Sequence, residues 1–495
     1  MNNLRLDQRR WAELALISVF LIVPVLIQAQ TPQATPPPPA QPRSVQFPRP
    51  VEKTLANGLR VIVIERAGAP LVAGQLLIKN GAEADPIELA GLSNMVADLI
   101  TKGTEKRSAT DVAEAVEALG GSLDSSARWD SSRVGLNVIS SKIAPALEIL
   151  SDVVRRPTFK EDEVERLRQQ TIDDLTIELG EPSAIAQYVA ARVVFGDTPY
   201  AKPMSGTTES IARISRNDIA QFHTRYYRPD NAILVLGGDI KAANAFRLAQ
   251  QYFGDWKKPD SPLPPAAPTK LNISGGTRVI VIDKPDAGQA AVLVARLGIT
   301  RRDSDYYTGL VANSVLSGYS GRLNQEIRIK RGLSYGAGSS LDARREIGPF
   351  SASAQTKNVS AAVVADLLMR EVTRLSTEPV ADVEMVPRKA VVTGNFARNL
   401  ETAGGLVAQV SSLALHGISF EEINRYLLNV QAIKATDLQR FAAARLGAKE
   451  TCIIIVGNAR EFLPELRKQY SQVEVIPVAE LDLNSALLRK KQQTK

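Results

Sequence analysis

Arg60-Val-Ile-Val-Ile64 returns letter for letter as Arg278-Val-Ile-Val-Ile282, 218 positions later. Gly91-Leu92 returns as Gly309-Leu310 at the same offset, each read as opening a helix-like apolar stretch after a strand-like one. Ile214, Asp218, Ile219 and Phe222 return as Ile433, Asp437, Leu438 and Phe441 at 219, and Ile233-Leu-Val-Leu-Gly237 returns as Ile453-Ile-Ile-Val-Gly457 at 220. Four matches in order, with a drift of two residues, predict a duplicated domain of about 210 residues per copy. Each copy opens with two strand-like runs (61–64 and 71–78; 279–282 and 291–297) before the period lengthens to that of a helix. The helical stretch 160–179 carries Val164, Leu167, Ile172, Leu175 and Leu179 along one face. Short strands mixed with long helices predict an α+β fold of two homologous domains, each a mostly antiparallel sheet packed with helices.

Proline marks the joints. Residues 259–268 hold five prolines in ten, which places a linker at 258–272 between domains at 51–257 and 273–475, with a polar tail at 476–495. Residues 31–50 hold eight prolines in twenty and read as a polyproline-like tether. Ahead of it, Arg5, Arg9 and Arg10 precede an apolar run at 14–27 broken by Ser18. Residues 1–30 therefore read as a secretory signal, and export to the periplasm or medium is expected. Left uncleaved, residues 11–27 would instead attach the chain to a membrane.

The chain has 495 residues, 44% hydrophobic and 23% charged, enough to bury large cores. Its net charge of +7 is spread along the sequence, so no nucleic-acid partner is expected. One cysteine, Cys452, excludes a disulfide framework and thiolate metal clusters. Two histidines, His223 and His416, almost two hundred positions apart, leave no paired imidazoles for zinc and read as structural.

The first copy also reads Leu55-Ala-Asn-Gly58, Gly81-Ala-Glu83, Gly91-Leu-Ser-Asn94-Met-Val-Ala97-Asp98, Leu119-Gly120-Gly121, Pro157-x-Phe159 and Tyr227-x-Pro229-x-Asn231. From residue 51 to about 470 this resembles the inverzincin metallopeptidases, the family of pitrilysin, insulin-degrading enzyme and mitochondrial processing peptidase. The resemblance implies duplicated α+β domains of the LuxS/processing-peptidase type. It also implies zinc chemistry on H-x-x-E-H, two imidazoles one helical turn apart plus a Glu that activates water. The aligned positions here are Asn94, Ala97 and Asp98. The family's third ligand aligns with Asp174, with Asp173 beside it as the alternative. Oxygen donors alone suit a hard cation or no metal, and a vestigial polar patch is the expectation. Ala97 offers no proton carrier.

Gly120, Gly121, Ser122 and Leu123 resemble the turn into the family's edge strand, where substrate peptide adds as an extra strand. In the second copy, Ser320-Gly-Arg322-Leu-Asn-Gln-Glu326-Ile-Arg328-Ile-Lys-Arg-Gly332-Leu-Ser-Tyr335 resembles the family motif whose Arg and Tyr hold the substrate carbonyl and its developing oxyanion. Those residues are Arg328 and Tyr335. In some exported bacterial relatives the zinc motif and this pair lie on two chains of one heterodimer. The resemblance therefore implies a non-catalytic, zinc-free subunit that grips peptide beside a zinc-bearing partner and carries no cofactor itself. A non-enzymatic assembly protein on the same fold is the alternative, and an autonomous peptidase lacks its base.

Overall fold

The computed structural model describes residues 46–265 and 277–490. The signal-like segment and most of the Pro-rich tether lie outside these residues, as do positions 266–272 of the linker. The first copy supplies β1 (Val51–Thr54), β2 (Arg60–Glu65), β3 (Leu71–Ile78), β4 (Ser122–Ala127), β5 (Ser132–Ile139) and β6 (Ala232–Gly238). The second supplies β7 (Val279–Asp283), β8 (Ala290–Leu297), β9 (Ala337–Leu341), β10 (Pro349–Thr356), β11 (Cys452–Gly457) and β12 (Glu474–Pro477). They form two six-stranded sheets, ordered β1-β2-β6-β3-β5-β4 and β12-β7-β11-β8-β10-β9. The α+β duplication is as expected: β2 and β6 pair in parallel, as do β7 and β11, while β3, β5 and β4 follow antiparallel in one sheet and β8, β10 and β9 in the other.

Register refines the repeat. Glu65 pairs with Gly238 and Asp283 with Gly457, so Gly457 answers Gly238 at an offset of 219, one residue from the match read in the sequence. The repeated Asp218 and Asp437 have a local cause. Each sits three residues into a helix and accepts the N–H of the residue before it, Ser215 or Lys434, at 2.8 and 2.9 Å. The paired glycines diverge, however. Gly91 immediately precedes helix α1 (Leu92–Leu99), whereas Gly309 lies inside a longer helix, described below as α4, where it packs against Leu341.

The other helices needed here are α2 (Glu161–Glu178), α3 (Pro182–Phe195), α4 (Tyr306–Leu316), α5 (Asp382–Glu401) and α6 (Ala403–Leu415). Central strands such as β2 are apolar at successive residues because both faces are covered. Val61, Val63, Leu234 and Leu236 face the first copy's own helices, including Met95 and Leu99 of α1. Ile62, Ile64, Ile233 and Val235 face the other way, into a core shared with Leu406, Val407 and Val410 of the second copy's α6. Reciprocally, Ile185, Ala186 and Val189 of the first copy's α3 cover Ile280, Ile282, Ile454 and Val456 of the second sheet. α3 and α6 are themselves equivalent, so the copies exchange helices across the duplication. Gly237 permits the close approach, since a Cβ there would lie 2.8 Å from Val407 Cγ2.

Two expected boundaries change. The stretch read as a polar tail from 476 is packed: β12 pairs in parallel with β7, and Leu483 and Leu488 are buried against α3's cluster. At the other end Phe47, placed in the tether, packs on the second copy and its N–H donates to Asn424 at 2.8 Å.

Candidate functional site

Asp85 fixes the start of α1. Its carboxylate accepts the N–H groups of Gly91 and Ser93 at 3.0 and 2.9 Å, supplying the cap that Gly91 lacks. Burial pushes this carboxyl up to about 7, against the pull of Lys202 and of those N–H groups. Gly91 has φ +94°, and a Cβ there would meet Ser205 O at 2.9 Å, so glycine is required where the chain turns into the helix. One turn on, Asn94, Ala97 and Asp98 share the face that looks across to α2.

That face and α2 enclose a cavity of about 610 Å³. Asn94, Ala97, Asp98 and Asp174 all line it. The helix phase decides between the two candidates on α2: Asp173 does not line the cavity and accepts from Gln169 at 2.9 Å instead. The Asn94 amide donates to Met204 O at 2.7 Å. Ala97 presents a buried methyl. Asp98 is open to solvent, yet the concave surroundings push its carboxyl above the ordinary range while Lys102, one turn along, pulls it down. Sequence reasoning did not single out Lys102, Arg166 or Glu178, which also line the cavity. Their spacing was the available signal, because Lys102 and Glu178 follow Asp98 and Asp174 at i+4.

This set does not fit zinc. It offers amide and carboxylate oxygens without an imidazole or thiolate, and among the described residues no three His, Cys, Asp or Glu side chains are grouped to hold a metal ion. The two histidines lie elsewhere. His223 is half-buried, with Nε2 donating to Val154 O at 2.8 Å and its ring stacked on Tyr227 at 4.9 Å; desolvation of the ring pushes its pKa down to about 4. His416 ends α6 and is also pushed down to about 4 by burial.

Beside the cavity runs the free edge of the first sheet. Gly120 (φ +62°) and Gly121 turn the chain into β4, Ser122 and Leu123 begin it, and Ser125 further along reaches the cavity wall. Among the described residues β4 is outermost and pairs only with β5.

Arg328 and Tyr335 stand apart. Arg328 lies in a wide turn, Gln325–Ile329, where Lys330 N donates to Gln325 O at 2.9 Å, a five-residue spacing common at functional sites. Glu326 binds Lys330 and Arg331, at 2.9 and 2.6 Å. Among the described residues no carboxylate pairs with Arg328, whose guanidinium carbon sits 5.5 Å from the Tyr319 ring centroid. Tyr335 is 89% exposed. It lines a second cavity of about 310 Å³ with Gln187, Gln289, Ser353 and Gln355, and no residue lines both cavities. The chain thus gathers the four altered zinc-site positions but does not bring Arg328 and Tyr335 to them.

Two models of one peptidase family match in succession: Insulinase (Peptidase family M16) over residues 60–207, and Peptidase M16 inactive domain over 213–387. An uncharacterised zinc protease of Mycobacterium leprae is 24% identical over 404 residues, 80% of this chain and 91% of that relative. The fold is similar to a peptidase M16 inactive domain from Pseudomonas fluorescens, with TM-score 0.76, 23% identity and coverage of 82% of this chain and 98% of that one. A protease from Helicobacter pylori gives TM-score 0.79, 21% identity and coverage of 83% and 100%.

Proposed function

The chain belongs to peptidase family M16, and from that premise we propose that it is the zinc-free subunit of an exported heterodimeric metallopeptidase. It grips peptide along the β4 edge and presents Arg328 and Tyr335 to a carbonyl held on a zinc-bearing partner. The observation that supports this most is the contrast between the two regions. The cavity of Asn94, Ala97, Asp98 and Asp174 holds neither imidazoles nor a proton carrier at position 97, while a charged fork and an exposed phenol stand outside that cavity. A guanidinium and a phenolic O–H are suited to a developing oxyanion because both donate, and the guanidinium stays charged. β4 supplies main-chain donors and acceptors that hold an extended substrate without regard to its side chains. Export is supported by the basic, then apolar, N-terminal segment.

Elemental analysis combined with peptide cleavage tests this. The purified chain should hold no stoichiometric zinc and leave an unstructured peptide intact. Mixed with a homologue that carries H-x-x-E-H, it should give chelator-sensitive cleavage faster than that homologue alone. One tightly held zinc per chain with cleavage by the chain alone would contradict the proposal, and no gain on mixing would leave a scaffold.

A further inference from the structure

The second copy carries a surface that the first does not. α2 and α5 are equivalent, beginning at 161 and 382, and each lays its inner face on its own copy's core. Their exposed stripes, which on α2 include the cavity-lining Arg166 and Gln170, differ at six positions. Asp162, Glu165, Arg166, Gln169, Gln170 and Asp173 on α2 correspond to Val383, Val386, Pro387, Ala390, Val391 and Gly394 on α5. Spacings of three and four put these residues in one stripe along the helix. Val383, Val386 and Val391 are 86%, 54% and 48% exposed. Pro387 has no N–H for the Val383 carbonyl, a loss that a helix interior normally avoids. At the equivalent positions α2 carries charged and polar side chains.

The stripe adjoins the Arg328 region. Arg322 Nε and Nη2 donate to the two Glu384 oxygens at 2.8 Å each, and Arg388 Nη2 donates to Ser320 Oγ at 2.5 Å, strapping the 319–322 loop onto α5. Tyr319 on that loop is 72% exposed and lies against Arg328; Ile329 is exposed beside it in sequence. We infer that this continuous face, the α5 stripe with Tyr319 and Ile329, is where the zinc-bearing chain docks, an inference that rests on the function proposed above. Area identifies the occupant. At 1.5 Å per residue the stripe from Val383 to Gly394 is about 17 Å long and about 10 Å wide, so it offers about 170 Å². A stable interface takes about 800 Å² from each partner. A segment lying on the stripe alone falls short, and a partner that also covers the Arg328 region is needed. The chain whose bound peptide must reach Arg328 and Tyr335 is the zinc-bearing one.

The test is the affinity of the full chain for a co-produced homologue carrying H-x-x-E-H, measured by sedimentation. Val383→Asp with Val386→Asp should weaken assembly by ~100-fold or more, because each buries an unpaired charge at the centre of the contact. Thermal unfolding of the free chain should stay unchanged, since both side chains are exposed. Val391→Lys is the second variant, with the same expected direction. Wild-type affinity in both stripe variants would overturn the docking face while leaving the proposed function standing. Failure of the wild-type chain to bind any such homologue would overturn both. A wild-type homodimer that the stripe variants turn monomeric would assign the face to a second copy of this chain and overturn the inference.

Discussion

A methyl at position 97 can neither take a proton from water nor return one to a leaving amine, although Ala97 lines the cavity between α1 and α2. This much was legible from the spacing of Asn94, Ala97 and Asp98 against the H-x-x-E-H pattern. The choice between Asp173 and Asp174 was not, because adjacent residues on a helix point about 100° apart and only the packing of α2 sets its phase. Histidine offers a test at this scale. His223 has an ordinary pKa of 6.5 and is held near 4 when folded, so the unfolded chain binds a proton that the folded chain refuses. Its contribution to stability is present above pH 6.5 and is lost as pH falls through 6.5 toward 4. Asp85 runs the opposite way: raised from 3.8 to about 7, it favours the folded state less as pH rises across that window. His223→Gln should therefore flatten the acid limb, with about 2–3 kcal/mol less stability lost between pH 7 and pH 4.5 in urea titrations. An acid limb as steep as wild type would show that His223 does not titrate as a desolvated ring.

Among the elements, the central strands were readable because a run apolar at every residue announces burial on both faces. What covers the second face was not readable. α3 and α6 carry apolar residues around much of their circumference, and no local pattern says which sheet such a helix will lie on. Their exchange also means that each copy's sheet is completed by the other copy. The tail after 476 was misread for a related reason, since two leucines among polar residues, Leu483 and Leu488, find a cluster that only the tertiary fold creates. The exchange predicts that the two copies unfold together. Val407→Ala, a change in the second copy, should lower the stability reported by Trp256, buried in the first copy's core, by about 2 kcal/mol. Fluorescence and far-UV circular dichroism should give coincident transitions. A Trp256 transition unmoved by the substitution would mean that the copies are energetically independent.

At the scale of the molecule, the altered zinc-site positions line one cavity and Tyr335 another, while Arg328 lines neither. Under the proposed function, another chain brings the reacting carbonyl to Arg328 and Tyr335. The sequence carried the motif but not this separation, which depends on how the two sheets and their exchanged helices are set together. The valines of α5 were likewise visible as letters, although only their outward register shows them to be a surface. The most direct test is steady-state peptide cleavage by the assembled pair with Arg328→Ala or Tyr335→Phe in this chain. Loss of a donor that acts on developing charge should lower kcat by ~10²–10³, with KM and the affinity between the chains little changed. Wild-type kcat from fully assembled variants would contradict a role at the scissile carbonyl and leave both residues structural.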